Sequence, residues 1–384
     1  MSLWPFPPIN EVVEVLEWKT DVLRARASEQ RFRLRERPRR QWHFKHMFNA
    51  EQQAAARAIV RGATSYKVPD WIRQIYGGSV SSGSSVSLSM TTAGYGLAAG
   101  QSVVLFNGID DYEVCTVESV SPSALVLEFV ATARGSTRIY RLDNATASVN
   151  LSITRYPWPI KQADISFESP AVDIHAESTY AQYRGHDVMP SIPVFVGSMS
   201  LSENVEWQIE TFDNATGLVS TVRQRDLPDD NFMIRWQVFT PAEILAVRAW
   251  IASRYGRWLA FWQSTWERDL IAAADLSAVS TTLRVFSPSS VASLGRTSFD
   301  LEIGTPSGVF MRRVTAVSSG PAVSGNPTFD LTIDSALGVA VTAAAFGRIS
   351  FLRCARFDAD RIELLHRPGE GLAVAVPCIE VPVP

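Results

Sequence analysis

Alternating apolar and polar positions dominate the chain and predict a mainly β protein. Apolar and basic residues alternate strictly from Arg31 to Arg35, and the alternation resumes from Trp42 to Lys45. Such alternation is typical of strands with one buried face. The Arg37-Pro38-Arg39 stretch between them favours a turn. The pattern therefore predicts a β-hairpin with one apolar and one cationic face.

Two segments have the periodicity of helices instead, and each begins with a capping pattern. Asn49 and Thr240 are both N-cap residue types, and each is followed three residues later by Gln or Glu. This spacing lets both side chains bond to the free N–H groups of a first helical turn. We expect helices over residues 50–61 and 241–254.

The same order of elements occurs twice, which indicates an internal duplication. The matching segments are Leu16–Lys19 with Val205–Gln208, Phe48–Glu51 with Phe239–Ala242, Arg57-Ala58 with Arg248-Ala249, and Trp71 with Trp262. Short β runs separated by turn residues follow each Trp. A unit this long that is repeated only twice suggests two domains of one fold rather than a repeat array.

The predicted fold class is α+β, mostly β. It consists of two tandem domains, each a β-sandwich with one helix, and each carrying an inserted small β-barrel. The predicted boundaries are residues 1–76 and 140–170 for the first domain, 77–139 for its inserted β module, 171–193 for a linker, 194–266 and 349–384 for the second domain, and 267–348 for its inserted β module.

Composition excludes several classes of protein. A formal net charge of −3 gives no overall attraction to nucleic acid. The three cysteines fit no CxxC motif, and we expect them to be small core residues. No apolar run approaches the roughly 20 residues that a membrane helix needs, and the first residues lack the order of a signal peptide. We therefore expect assembly in a cytoplasm without membrane insertion.

No set of residues has the spacing of a catalytic or metal site. His43 and His46 are three apart on a predicted strand and point to opposite faces. Asp358, Asp360 and Glu363 do not fit the calcium-loop pattern. There is no G-x-S-x-G nucleophile elbow. The sequence predicts a protein that is not an enzyme and has no cofactor.

Charge differs sharply between the two matching segments. Residues 17–45 contain ten Lys or Arg and four Asp or Glu, whereas residues 206–239 contain three Arg and six Asp or Glu. The predicted hairpin tips carry opposite charge, and the tip residues that we expect to pair between subunits are Arg37, Arg39, Arg40, Asp229 and Asp230. A solvated strand face and a contact with nucleic-acid phosphates are the alternatives.

Several segments resemble the tail-tip proteins of long-tailed bacteriophages. They are Leu16–Val22, Glu29–Arg40, Phe44–Ala58 and Tyr112–Leu127, and the helix ending at Arg254–Trp258 is similar to that of distal tail proteins. The resemblance covers most of the chain. It implies tail-tube-like domains that assemble as a ring at the distal end of the tail.

The resemblance also implies partners and a location. The ring would link the tail tube protein to the tail hub or tip proteins and the receptor-binding proteins. The tape-measure protein and DNA would pass through its lumen, and the chain would reside in the virion tail tip. The ring is either a hexamer or a pseudo-hexameric trimer with both domains in one ring. A carbohydrate-binding module that contacts the host surface is the alternative function.

Overall fold

The structure is a computed structural model. It describes residues 2–25, 28–147, 151–155, 161–169, 179–190, 193, 203–213, 215, 217, 219–224, 229–286 and 298–382. These described residues are mostly β and include two α-helices, which agrees with the predicted mostly β class. Most strands belong to one hydrogen-bonded network, and two hairpins lie outside it.

The first half of the chain (residues 2–169) contains β1 (Ser2–Leu3), β2 (Val12–Glu17), β3 (Thr20–Arg24), β4 (Glu29–Arg33), β5 (Arg39–Phe48), α1 (Ala50–Gly62), β6 (Ser65–Val80), β7 (Gly83–Ser89), β8 (Ser102–Phe106), β9 (Tyr112–Ser121), β10 (Ala124–Val130), β11 (Arg134–Ala147), β12 (Ser152–Arg155) and β13 (Lys161–Ser169).

The second half (residues 179–382) contains β14 (Gln182–Tyr183), β15 (His186–Val188), β16 (Glu203–Glu206), β17 (Ile209–Asp213), β18 (Val219–Arg223), β19 (Asp229–Val238), α2 (Pro241–Ser253), β20 (Phe261–Ser264), β21 (Ile271–Ala272), β22 (Thr282–Phe286), β23 (Phe299–Thr305), β24 (Gly308–Val323), β25 (Asn326–Ile333), β26 (Ile349–Phe357), β27 (Arg361–Arg367) and β28 (Gly371–Glu380).

Both predicted helices are confirmed, and local chemistry explains where they begin. The Asn49 side chain accepts a hydrogen bond from the backbone N–H of Gln52 at 2.8 Å. The Thr240 hydroxyl accepts from the N–H of Glu243 at 3.3 Å, and Pro241 occupies the first turn. Among the described residues, no helix has the length and hydrophobicity needed to cross a membrane.

The two halves have the same succession of strand pairings. In the first half β5 lies between β2 and β13, β13 also bonds to β12 and β11, β11 bonds to β6, and β1 runs parallel to β6. In the second half β19, β16, β28, β27, β26, β20 and β15 take the corresponding places. We call two residues counterparts when they occupy the same place in this repeated pairing.

Each half also contains a module of strands between its helix and its last strand. The order is β11–β8–β9–β10–β7 in the first half and β26–β23–β24–β25–β22 in the second. The first module has its own apolar core, which includes Val103, Leu125 and Ile139. The predicted small β-barrels are not found within the described ranges. Among the described residues of the first module, β7 bonds to β10 and not to β6, so these strands do not close into a barrel.

The predicted hairpin between Arg31 and Lys45 is wrong. β4 pairs with β3 to form a separate two-stranded sheet, whereas β5 pairs with β2 and β13. The alternation correctly indicated strands, but it does not specify which strand is the partner. The three cysteines are buried in strands, as expected.

Candidate assembly interface

Strands β2 and β27 join the two halves of the chain. They are antiparallel neighbours, and their pairing runs from Val12 opposite His366 to Glu17 opposite Arg361. β2 also bonds to β5 of the first half, and β27 also bonds to β28 of the second half. We call this β2–β27 pairing the internal joint. It makes the strands of both halves one continuous hydrogen-bonded sheet.

Apolar residues of the first half complete the core of the second half. Leu16 and Trp18 are only 0% and 2% exposed. They belong to one buried cluster with Val247 and Ile251 of α2 and with Leu364 of β27. Truncating a buried tryptophan typically costs about 3–5 kcal/mol. The second half therefore depends on these two side chains for its own stability.

The hairpin of β3 and β4 adds polar contacts to the internal joint. It lies outside the main sheet and against the second half. Arg24 donates a hydrogen bond to Asp229 at 3.2 Å. The guanidinium of Arg356 donates to Glu29 at 2.7 Å, and both side chains are almost fully buried. The β3–β4 hairpin thus contacts the second half outside the main sheet, while β2 pairs with β27 of the second half within it.

A buried charged cluster lies at the centre of the internal joint. One oxygen of Glu14 accepts hydrogen bonds from Arg40 at 2.7 Å and from Arg248 at 2.5 Å. The other oxygen lies 3.0 Å from Nε2 of His366, and Arg40 also donates to Asp143 at 2.8 Å. Glu14 and Arg40 belong to the first half, whereas Arg248 and His366 belong to the second. The cluster therefore connects the halves through charge as well as through strand pairing.

The protonation states in this cluster follow from burial and neighbouring charge. Burial alone would raise the pKa of Glu14, but Arg248, Arg40 and His366 lower it well below the usual value. Burial lowers the pKa of His366 in spite of the carboxylate beside it. The imidazole is therefore neutral at pH 7 and donates its Nε2–H to Glu14. A shift of one residue in the joint would remove these partners, so the cluster specifies the register.

The second half repeats this arrangement at an edge that is exposed. In the described residues β16, which corresponds to β2, bonds only to β19, and the β17–β18 hairpin lies outside the main sheet. Its exposed apolar side chains are Val205, Ile209, Phe212, Val219 and Val222, with 46–62% of their surface accessible. Ile209 and Val219 lie on one face of the hairpin and Phe212 and Val222 on the other, so both faces carry exposed apolar side chains.

The first half presents the corresponding edge for pairing. β12 is the equivalent of β27, and among the described residues it bonds only to β13. Ile153 of β12 is partly buried against the core of the first half, while Ser152 and Arg155 are exposed. The described part of the chain therefore has one joint that is formed and two edges of the same design that remain exposed.

Two of the predicted interface residues make their contacts within the chain. Arg40 is fully buried and bonded to Glu14, and Asp229 is 6% exposed and bonded to Arg24. Their charges are met by the internal joint because β5 and β19 direct these side chains inwards. Contact between subunits through Arg40 or Asp229 would require this joint to break, so these two residues do not form exposed tips.

The other three predicted residues lie closer to the surface. Arg37 is exposed at the bend before β5. Arg39 has a 57% exposed side chain that lies 3.7 Å from Glu168. Asp230 is half-buried in β19 and is paired with β16. Their role in contacts between subunits stays a prediction.

The acidic residues near the C-terminus hold the halves together. Asp360 accepts hydrogen bonds from the backbone N–H groups of Thr20 at 2.7 Å and Arg257 at 3.0 Å. Asp358 accepts from Arg356 at 2.8 Å. Within the described residues, no group of three or more His, Cys, Asp or Glu could hold a metal ion. These carboxylates have structural partners.

The aromatic stretch around the end of α2 is part of the core. Trp250 and Trp262 are 1% and 0% exposed, and the indole of Trp262 donates a hydrogen bond to the carbonyl of Tyr183 at 2.8 Å. Buried rings cannot stack on a sugar. Trp250 and Trp262 therefore offer no platform for carbohydrate.

The internal joint could not be identified from the sequence. The only local signal for Glu14 is an acidic residue at an inward position of an apolar strand. The Arg57 and Arg248 match was visible, but it gave no indication that Arg248 is buried and ion-paired. The partners of Glu14 are more than 20 residues away in sequence, so no short motif connects them.

Comparison with known proteins adds no relative. No protein-family model and no curated protein sequence matches the chain.

Proposed function

We propose that this chain is a structural virion protein that forms a ring at the distal end of a bacteriophage tail. The ring links the tail tube protein to the tail hub or tip proteins and to the receptor-binding proteins. This proposal combines the resemblance of the sequence to tail-tip proteins with the arrangement of edges along the sheet. The chain acts through geometry and not through chemistry on a substrate.

The observation that carries the proposal is the repeated edge. β2 finds its partner β27 inside the chain, while the equivalent edges β16 and β12 have no strand partner on one side among the described residues. Exposed strand edges favour pairing with another chain. A subunit with two different complementary edges forms heterologous contacts, and such contacts close into rings when the rotation permits.

We further infer that the two halves are tandem tail-tube-like domains. The same succession of pairings in both halves supports this organisation. Each domain would contribute its sheet to the wall of a lumen that passes DNA and the tape-measure protein. The inserted modules at residues 77–139 and 267–348 would project outwards as docking points for neighbouring tip proteins. Either six or three copies would complete such a ring.

Deletion of the gene from its phage, followed by electron microscopy and labelling, tests the proposal. Phage lacking the chain should yield filled heads and tail tubes without an intact tip, and they should not infect. An antibody against the chain should label wild-type virions at the tail end farthest from the head. Normal infectious particles after deletion, or label on the capsid, would contradict the proposal.

A further inference from the structure

We propose that β16 and the β17–β18 hairpin of one copy bind the first half of a second copy along β12. This contact would reproduce the internal joint, in which β2 and the β3–β4 hairpin bind the second half along β27. The inference deepens the proposed function and rests on it for the closure of the ring. It specifies a surface, a partner and a register.

The register follows from the internal joint. Val15 of β2 lies opposite Glu363 of β27. The repeated pairing makes Asn204 the counterpart of Val15 and Ser152 the counterpart of Glu363. In the proposed contact, Asn204 of one copy therefore lies opposite Ser152 of the next, and the two strands are antiparallel. Both side chains are exposed within one chain.

The apolar side chains of β16 also correspond to those that β2 buries in the internal joint. Val205 and Trp207 are the counterparts of Leu16 and Trp18, which are buried in the internal joint. Val205 is 62% exposed, and Trp207 is partly exposed with the guanidinium of Arg223 stacked 4.2 Å from its ring. A large aromatic residue at an exposed edge is an expected anchor for a protein partner. These side chains would become buried on binding.

The receiving surface also has the required character. Ile153 of β12 and Val60 of α1 are the counterparts of Leu364 and Ile251, which belong to the same buried cluster as Leu16. Both Ile153 and Val60 are partly buried against the first-half core and keep some surface exposed. The first half therefore has a partly exposed apolar surface at the position that corresponds to the Leu16 site of the second half.

Charge complementarity favours a second copy as the occupant. In the internal joint, Arg24 of β3 donates to Asp229 of β19. Their counterparts are Asp213 of β17 and Arg39 of β5, so the proposed contact has the same ion pair with the signs exchanged. Asp213 and Arg39 are both exposed within one chain. Two surfaces of the same chain thus carry matching charges, which specifies partner and orientation.

The buried charged cluster of the internal joint also has counterparts on the two sides of the proposed contact. Arg57 of α1 is the counterpart of Arg248, and Arg155 of β12 is the counterpart of His366. Both arginines are exposed. In the repeated pairing Glu203 of β16 takes the strand position of Glu14, so the residue types of a carboxylate–arginine cluster recur on the two sides of the proposed contact. A carboxylate with arginine partners is the arrangement that the internal joint already contains.

The ring that follows has the two halves alternating. Each copy contains one internal joint and forms one contact with the next copy. Every first half therefore lies between two second halves, and every second half between two first halves. Three copies supply six halves, the number that suits the pseudo-hexameric trimer. The expected particle has three times the chain mass of 42.4 kDa.

A cysteine pair across the proposed contact is the direct test. The double variant Ser152→Cys with Asn204→Cys is oxidised at high protein concentration. The denatured products are then separated by size without reductant. Directly opposite residues of neighbouring strands have Cβ atoms about 4.5–5.5 Å apart, close enough for a disulfide after a small adjustment. We expect a ladder of two and three linked chains. The single variants should give at most linked dimers.

The chain offers a matched control. Ser119→Cys with Asn204→Cys places the first thiol on an exposed position of the inserted module, away from β12. It should give roughly tenfold less linked product. The native cysteines stay silent because they are buried, and burial raises the pKa of Cys115 to about 11 and that of Cys354 to about 12. Their thiols are therefore protonated at neutral pH.

The outcomes separate this inference from the proposed function. A ladder that exceeds the control and ends at three chains, with a native mass of three chains, supports the contact. A monomer at every concentration, linking equal to the control, or a ladder that ends at six overturns it. Label at the tail tip without the ladder would reject only the contact, and the ladder without label on tails would reject only the proposed function.

Discussion

Arg248 of α2 donates a 2.5 Å hydrogen bond to Glu14 of β2, which lies 234 positions earlier in the chain. The two side chains are 4% and 0% exposed, and each belongs to a different half. Neither charge has water to replace its partner. The two halves therefore fold against one another, and damage to this pair is expected to affect the whole chain.

Replacement of Arg248 should test this coupling. Arg248→Met leaves the carboxylate of Glu14 buried with fewer partners, and breaking a buried ion pair typically costs about 3–5 kcal/mol. The free energy of unfolding, measured by urea titration of dilute protein, should fall by that amount. Arg57→Met is the matched control, because Arg57 is the exposed counterpart on α1 and should change stability by less than about 0.5 kcal/mol. Equal losses in both variants would contradict the assignment.

The two equivalent tryptophans should respond differently to truncation. Trp18 is 2% exposed in the second-half core, so Trp18→Ala should destabilise the dilute chain by about 3–5 kcal/mol. Trp207 is partly exposed, so Trp207→Ala should cost less than about 1 kcal/mol under the same conditions. Thermal unfolding followed by circular dichroism measures both. Similar shifts in melting temperature would mean that the two positions are not distinguished by burial.

Local elements could be predicted from the sequence, and their partners could not. The caps at Asn49 and Thr240 act over three residues, so both helices were visible in the pattern. The partner strands of β5 could not be predicted, because the alternation around Trp42 indicates which face is buried and not which strand is the neighbour. β5 pairs with β13, more than 100 residues later, and only the fold brings them together.

The charged cluster shows the same limit for the site. Glu14 occurs in an apolar strand, on the same face as Val12 and Leu16, and this position alone does not show what neutralises its charge. Its neutralising partner Arg248 comes from the other half of the chain, and the duplication predicted only that Arg57 and Arg248 are equivalent. The difference between an exposed and a buried arginine depends on which edge is already paired.

Stability should fall as the solution becomes acidic, in part through His46. The His46 ring is fully buried, accepts a hydrogen bond from the indole of Trp4 at 3.3 Å and donates to the carbonyl of Pro7 at 3.0 Å. Burial lowers the pKa of His46 to about 4. An unfolded histidine titrates near 6.5, so the unfolded chain binds the proton first. This contribution is complete above about pH 6.5 and is lost as the pH falls towards 4.

The expected loss from His46 over that range is about 3 kcal/mol. Urea unfolding between pH 7 and pH 4.5 measures it. His46→Gln can keep both hydrogen bonds but does not titrate, so its stability should decline less steeply with acid. Other buried groups contribute to the slope in both proteins, and the difference between them isolates His46. Parallel slopes would show that this ring does not govern the acid response.

Gly371 should be difficult to replace because of the turn that leads into β28. Its φ is +75°, and a Cβ there would lie 2.1 Å from the carbonyl oxygen of Val238. Gly369 has a similar φ of +77° with nothing within 4 Å, which makes it the matched control. Gly369→Ala should cost about 1 kcal/mol for the backbone conformation alone. Gly371→Ala should cost clearly more in thermal unfolding, and equal costs would refute the close approach.

An exchange of charges should reveal whether Arg39 and Asp213 meet between copies. Arg39→Asp and Asp213→Arg each place like charges together, so either variant alone should weaken self-association several-fold, and more at low salt than at high salt. The double variant restores an ion pair with the signs of Arg24 and Asp229, so it should recover most of the lost association. Sedimentation velocity at two salt concentrations measures this. Additive losses in the double variant would mean that the two side chains act independently, because only residues in contact can compensate one another.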